Sequence, residues 1–360
     1  MRIGIITQPL SRNYGGILQN YALQQTLIKL GHKPYTFDWV SLFSWKHWGL
    51  SIVKNIIKCI IGRPFRFPQT IYKVRSQERI LRTFVDKNIN ITKPRTQSLS
   101  VSQILENSIY ALIVGSDQVW RPKYNDNIAD MYLGFARELK LKRIAYAASF
   151  GTEEWEYSEE QTVACKTLAK KFDAISVREK SGVDLCKKFL GVDATHLLDP
   201  TLLLSKEEYK QLLTHIPEAK TQYLFAYILD SSDEKIKYVT RYAENQGLEV
   251  VIKGADSKLS EEDSVENWLA NFRDAQYVIT DSFHGSVFSI IFNKPFIALG
   301  NRARGMARFD SLFEAFDLEN HLVDLSKNES VIDHIVDWTK VNAKIDTYRK
   351  KSVEFLSKNL

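Results

Sequence analysis

Cysteine is scarce in this chain of 360 residues, which carries only Cys59, Cys165 and Cys186. They lie far apart and form no CxxC or Cys/His spacing, which argues against a disulfide framework or a thiolate metal centre; reduced, buried thiols in a cytosolic protein are the expectation. No apolar run reaches the length that spans a bilayer. The opening stretch MRIGIITQPL has no basic leader ahead of a long apolar core, so no signal peptide is expected. A large charge excess is also missing. The balance of 49 basic against 43 acidic side chains gives +6, too mild for a nucleic-acid-binding profile but suited to small anionic ligands or an anionic membrane surface. Low-complexity tracts and clear internal repeats are absent too.

What is present is alternation. Short β-rich runs, several of them almost continuously apolar (IYALIVG, YLFAYIL), are separated by helical patterns. Strands are expected at 2–7, 34–39, 109–115, 143–149, 173–177 and 195–198, then at 222–229, 248–252, 276–280, 295–299 and 321–325. Helices are expected at 16–30, 158–171, 180–190, 233–246 and 264–273. Unbroken apolar strands between helices indicate parallel sheets covered on both faces, an α/β architecture. The turn in LDPTLLLS (198–205) divides the series, predicting two Rossmann-like domains, 1–200 and 201–340, facing across a cleft that holds the ligand at the carboxyl ends of the strands. The final segment, 341–360, is expected to cross back to the first domain. One stretch, 43–67, breaks the alternation. Trp45 and Trp48 precede Ile52, Ile56, Ile57, Ile60 and Ile61 at helical spacing, with Lys54 and Lys58 opposite. This pattern fits either a helix resting on an anionic membrane or one docked on its own domain.

Candidate chemistry gathers at strand-to-helix turns, where free backbone N–H groups attract anions. After the first strand come Asn13, Gly15 and Gly16, then a helix whose Asn20 and Gln24 form a polar stripe; the glycines either admit a ligand or merely allow tight packing. VGSDQVW (114–120) sets Ser116 and Asp117 at a strand end, to hold or deprotonate a sugar hydroxyl, or simply to shape the turn. In ISVRE (175–179), Arg178 is placed to grip a carboxylate or phosphate, unless it forms an ordinary ion pair. At TDSFHGSVFSIIFNKPF (280–296), Asp281 and Ser282 cap an apolar helix expected from Val287 to Phe292, and His284 and Gly285 lie between. A helix N-terminus keeps an imidazole neutral while a bound dianion favours its protonated form, so His284 reads as a ligand-gated general acid or as a self-capping residue. Arg302, Arg304 and Arg308 cluster on one loop around Gly305, an anion cradle or a solvated basic loop.

As a set, NYGGILQNYALQ with LGH (13–32), VGSDQVW, ISVRE, LDPTLLL and TDSFHGSVFSIIFNKPF resemble the polysaccharide pyruvyl transferase family. The resemblance implies a two-domain, GT-B-like fold and transfer of a pyruvyl group from phosphoenolpyruvate to a sugar, commonly as a cyclic ketal on two hydroxyls of one hexose. It implies no cofactor, no metal and no nucleic-acid partner. On this reading His284 protonates the terminal carbon of the enol ester, and Arg178 with Arg302, Arg304 and Arg308 holds carboxylate and phosphate. Asp117 attends the acceptor, and Asn13, Gly15, Gly16, Asn20, Ser116, Ser282 and Gly285 complete the substrate contacts. The family's Gly-Arg-x-His pattern reads Asp281-Ser282-Phe283-His284 here, so the arginine is absent. Arg302 or Arg304 takes over its charge, or the donor sits differently.

The acceptor expected is a sugar or a lipid-linked oligosaccharide, handled in the cytoplasm or at the inner face of the membrane. Two other readings remain. A GT-B glycosyltransferase with a nucleotide-sugar donor needs a nucleobase and ribose site, with 227–232 the place for it. A non-catalytic sugar-binding protein on the same fold would not depend on His284.

Overall fold

The computed structural model describes residues 1–11, 13–39, 71–93, 96, 98–254, 260–300, 305–325 and 335–360. The segment 43–67, with Cys59, and the residues Arg302 and Arg304 therefore lie outside the described residues. The strands Arg2–Ile6 (β1), Lys33–Thr36 (β2), Ala111–Val114 (β3), Lys142–Ala148 (β4), Ala174–Val177 (β5) and Thr195–His196 (β6) form one sheet. Its order is β2-β1-β3-β4-β5-β6, and every pairing is parallel. The strands Tyr223–Ile228 (β7), Glu249–Gly254 (β8), Tyr277–Thr280 (β9), Phe296–Leu299 (β10) and Leu322–Val323 (β11) form a second, in the order β11-β10-β9-β7-β8 and again parallel. These are two Rossmann-like α/β units, and each expected strand falls on an observed one.

The strands form where the sequence is apolar without a break. All residues of β3, β7, β9 and β10 are buried, because helices cover both faces of each sheet. The helices are Tyr14–Lys29 (α1), Ile71–Asn88 (α2), Val101–Glu106 (α3), Glu159–Ala169 (α4), Lys180–Leu185 (α5) and Lys206–Gln211 (α6). Then follow Asp233–Gln246 (α7), Val265–Asp274 (α8), Phe283–Ile291 (α9), Ala307–Phe316 (α10) and Trp338–Asn359 (α11). Several start where serine supplies the missing acceptor: Ser158, Ser205, Ser232, Ser264 and Ser282 each take a first-turn N–H.

The two units touch at their carboxyl ends. Tyr14 of α1 donates to the Asp263 carbonyl at 2.7 Å and stacks on Trp268 of α8, with centroids 5.1 Å apart and planes 6° from parallel. Lys180 N donates to Ser311 Oγ at 3.0 Å. Gly305, at φ +90°, lies so close to the first unit that a Cβ there would fall 1.8 Å from the Gly151 carbonyl oxygen. Cys165 and Cys186 are buried in the first unit, and burial pushes both thiols up to about 12, which leaves them protonated and inert.

Helix α11 begins beside the second unit, where Lys344 pairs with Asp317, and ends under the first sheet. There Leu356 joins Ile3, Ile5, Leu23 and Leu27, and Lys142 Nζ reaches the Asn359 carbonyl at 3.0 Å. Leu356 is fully buried. Leu356→Ala removes a core side chain, a change that typically costs about 2–5 kcal/mol. Denaturant unfolding should show a loss of that size, and wild-type stability would mean that α11 does not seal this face.

Candidate functional site

In each sheet the strand order reverses at one place, between β1 and β3 in the first and between β7 and β9 in the second. Loops diverge at such points and leave a crevice at the carboxyl ends. The first crevice is bordered by Asn13, Gly15 and Gly16 after β1 and by Ser116 and Asp117 after β3. From the second sheet, the turn after β9 brings Ser282, His284 and Gly285.

The His284 turn is built by short hydroxyl contacts. Thr280 Oγ1 donates to the Tyr227 carbonyl at 2.6 Å and accepts from Ser282 N at 3.1 Å; Ser282 Oγ then accepts from Gly285 N at 3.3 Å. This cap starts α9 at Phe283, four residues before the expected Val287, so His284 occupies the first helical turn. The ring is 7% exposed. It packs on the first turn of α1: a Cβ on Gly15 would lie 2.0 Å from Nδ1. Two helix N-termini thus meet at one imidazole, with a glycine where any side chain would collide. His284 Nε2 lies 3.7 Å from Asp199 Oδ2 and has no hydrogen-bond partner among the described residues.

Asp199, between β6 and a 3-10 turn over Pro200–Leu203, was not singled out as a site residue from the sequence. Its Oδ2 accepts from Arg178 Nη1 at 2.7 Å and from Gln19, while Oδ1 accepts from Thr201 N at 3.0 Å and Thr201 Oγ1 at 2.6 Å. Burial pushes this carboxyl up, but His284 and Arg178 outweigh it and hold Asp199 well below the usual carboxylate range. For Arg178 burial works against the charge, and Asp199, Glu179 and Asp117 together raise it nonetheless. Only one arm of this guanidinium is engaged: Arg178 Nε and Nη2 are buried without a partner among the described residues. Its plane lies by the Phe283 ring, 4.7 Å from the centroid, and Arg308 approaches the same ring at 5.4 Å. Arg308 sits in α10 and not on the loop expected from the sequence; burial, then Arg178, lowers it to about 10.

The remaining candidates divide. Asn13 Nδ2 donates to Asp117 Oδ2 at 2.9 Å, and that oxygen lies 3.5 Å from where a Gly16 Cβ would be. The adjacent glycines of α1 therefore have an imidazole at one and a carboxylate at the other. Asp117 itself holds φ +63°, an uncommon backbone state for a residue with a side chain. Ser116 Oγ is engaged inside the first unit, accepting from Gln19 at 3.1 Å and donating to the Ala147 carbonyl at 3.1 Å. Asn20 does not join the cleft. It is buried and accepts from Thr36 Oγ1 at 2.7 Å, because the polar stripe of α1 faces β2; Gln24 bonds the same hydroxyl. Gly285 serves the turn, since a Cβ there would meet Thr280 Oγ1 at 2.2 Å.

The turn after β7 is already filled. Asp281, fully buried, accepts from Leu229 N at 2.6 Å, Asp230 N at 3.0 Å and Lys235 Nζ at 2.6 Å. Asp281 therefore ties two loops of the second unit and does not cap α9. Gln19, Phe283 and Asp199 escaped the sequence reading because their roles depend on partners 180 or more residues away or on a neighbouring unit; for Asp199, the carboxylate before Pro200 at the junction was the available signal. Among the described residues no group of His, Cys, Asp and Glu could hold a metal ion.

A model of the polysaccharide pyruvyl transferase family matches residues 13–302. The chain belongs to that family. No curated protein matches the sequence. Among solved structures, a UDP-N-acetylglucosamine 2-epimerase from Rickettsia bellii is similar over 99% of this chain and 96% of its own, at 9% identity and TM-score 0.47. The Methanocaldococcus jannaschii UDP-GlcNAc 2-epimerase in complex with UDP-GlcNAc and UDP is similar over 97% and 100%, at 11% identity and TM-score 0.41. MurG of Acinetobacter baumannii is similar over 99% and 94%, at 8% identity and TM-score 0.39. In this member of the pyruvyl transferase family, the residues that meet at the cleft come from the motifs that carry the likeness: Gly15 and Gly16, Asp117, Arg178, Asp199 and His284.

Gly15→Ala tests the meeting of the units. In an isolated helix the change would be mildly favourable, by about 0.5–1 kcal/mol, so a loss reports the collision with His284. We expect a lowered melting temperature and a changed His284 imidazole resonance; an unchanged resonance would show that the ring does not rest on Gly15.

Proposed function

We propose that this protein transfers the pyruvyl group of phosphoenolpyruvate to a sugar of a surface polysaccharide or of its lipid-linked precursor, forming a cyclic ketal with release of phosphate. The observation that carries this reading is that His284 Nε2 and two donors of Arg178 are buried without a partner among the described residues, at the meeting of two helix N-termini. That is a site for an anion next to a proton donor.

The donor is an electron-rich enol ester. His284 gives its proton to the methylene carbon, and positive character develops at the adjacent carbon. A sugar hydroxyl adds there, with Asp117 orienting it, and its proton passes to a basic group of the site. Phosphate then departs as the carbon–oxygen bond breaks, and a second hydroxyl closes the ring. The methylene becomes a methyl group, and of the two hydroxyl protons one restores His284 and the other leaves with phosphate. Arg178 and Arg308, with Arg302 and Arg304 from outside the described residues, neutralise carboxylate and phosphate. No redox partner or metal enters this balance.

A nucleotide-sugar donor finds less support. The N–H groups of Leu229 and Asp230, in the turn where a nucleotide site was expected, already serve the buried Asp281 carboxylate, which Lys235 pairs. For the acceptor we propose a soluble or lipid-linked sugar, reached from the cytoplasm, with segment 43–67 resting on the inner face of the membrane when the acceptor is lipid-linked. No described helix is long and apolar enough to cross a membrane.

Thermal denaturation with phosphoenolpyruvate, against nucleoside mono- and diphosphates, tests the donor. At a hundredfold excess over Kd a ligand stabilises the folded state by about 2.7 kcal/mol. Phosphoenolpyruvate should raise the melting temperature and the nucleotides should not. His284→Ala should still be stabilised, yet lose phosphate release by about a hundredfold or more. Stabilisation by a nucleotide and none by phosphoenolpyruvate would contradict the assignment.

A further inference from the structure

We propose that Asp199 is the positioning residue of His284: its carboxylate faces Nε2 and keeps the proton on that nitrogen. The role rests on the pyruvyl-transfer reading, in which His284 delivers the proton. The surroundings of the ring explain why a carboxylate is needed there. Helix α1 offers Gly15 and Gln19, neither of them charged. The turn after β5 brings the Arg178 guanidinium and Glu179, whose Oε1 is engaged by Ser149 Oγ and by Gly151 N at 3.0 Å. Helix α10 brings Arg308, whose guanidinium lies 5.4 Å from the Phe283 ring centroid. The turn after β3 brings Asp117, with one oxygen on Asn13 and the other on Gln118 N at 2.8 Å. An imidazolium would thus share a buried space with two guanidiniums. Glu179 and Asp117 also act on the guanidiniums, and Asp199 is the carboxylate that comes within 4 Å of Nε2 among the described residues.

The contacts of Asp199 keep it in that role. Oδ1 is held by both donors of Thr201, and Oδ2 by Arg178 and Gln19. Four donors fix the plane of the carboxylate and favour its ionised form. Gln19 also donates to Ser116, so the anchor extends to the turn after β3. A separation of 3.7 Å is longer than a hydrogen bond. The proton on Nε2 is therefore held by charge and not committed to Asp199, which leaves it free to move to a donor carbon. Nδ1 packs on Gly15, and Nε2 is buried on the side that faces the Asp199 carboxylate.

The test is nitrogen-15 NMR of the histidine rings in the full-length protein without ligand, with His284→Ala to assign the signal. The account expects Nε2 of His284 to carry the proton at neutral pH. In Asp199→Asn the proton should move to Nδ1 in a measurable share of the molecules, and Asp199→Glu should return part of it to Nε2. A purely structural Asp199 would lower the melting temperature of the variant and leave the tautomer as it was. A proton on Nδ1 alone in the wild type, or the same tautomer in a folded Asp199→Asn, overturns the proposal. Should the amide variant fail to fold, the wild-type tautomer still decides. Melting the same samples with phosphoenolpyruvate separates the two claims: no stabilisation, with the NMR result as expected, would sink the donor assignment and keep the role of Asp199.

Discussion

The ion pair between Arg178 and Asp199, at 2.7 Å and with side chains 2% and 1% exposed, is the constraint around which the cleft is arranged. Two charges removed from water cost several kcal/mol each in desolvation, and their attraction offsets this only when geometry and further hydrogen bonds are good. Among the described residues the carboxylate has donors on both oxygens, while Arg178 engages Asp199 through one arm and its Nε and Nη2 are buried without a partner. A structural ion pair would be expected to satisfy both partners. Unfilled donors on one partner alone fit a site that waits for an anion.

Everything else at the cleft is placed with respect to this pair. Asp199 belongs to the segment joining the two units, Arg178 ends a strand of the first, and His284 starts a helix of the second. The proposed acid, its counter-charge and the proposed anion grip therefore come from both units and from the segment between them. Tyr14 on Trp268, Lys180 on Ser311 and Gly305 against Gly151 keep them closed at three points around the site. Gly15 and Gly16 then divide the space, with the imidazole at one and the Asp117 carboxylate at the other, so the proposed acid and the proposed acceptor-side group sit at successive residues of one backbone turn.

Much of this was legible in the sequence, for physical reasons that also explain the errors. The strands could be read because parallel strands buried on both faces leave unbroken apolar runs, as in β3 and β7. The position of His284 at a strand-to-helix turn was readable from Asp281, Ser282 and Gly285, but the helix start was misplaced: apolar residues from Val287 onward suggested it, while the Ser282 cap set it at Phe283. The functional sense of α1's polar stripe was misread, because whether Asn20 meets a ligand or Thr36 depends on how the helix lies on its sheet. Arg308 was read into a loop, since glycine at 305 hides the start of α10. Asp199 was invisible as a site residue because an Asp-Pro pair reads as a turn. Its partners, Gln19, Arg178 and His284, come from three other parts of the chain.

The central claim is that Nε and Nη2 of Arg178 and Nε2 of His284, which have no partner among the described residues, address one small anion. A crystal structure of the protein with phosphoenolpyruvate tests it most directly. The account predicts oxygens of the ligand on Arg178 Nε and Nη2, with the methylene carbon facing His284 Nε2. A ligand bound elsewhere, leaving those three nitrogens as they are, would contradict it.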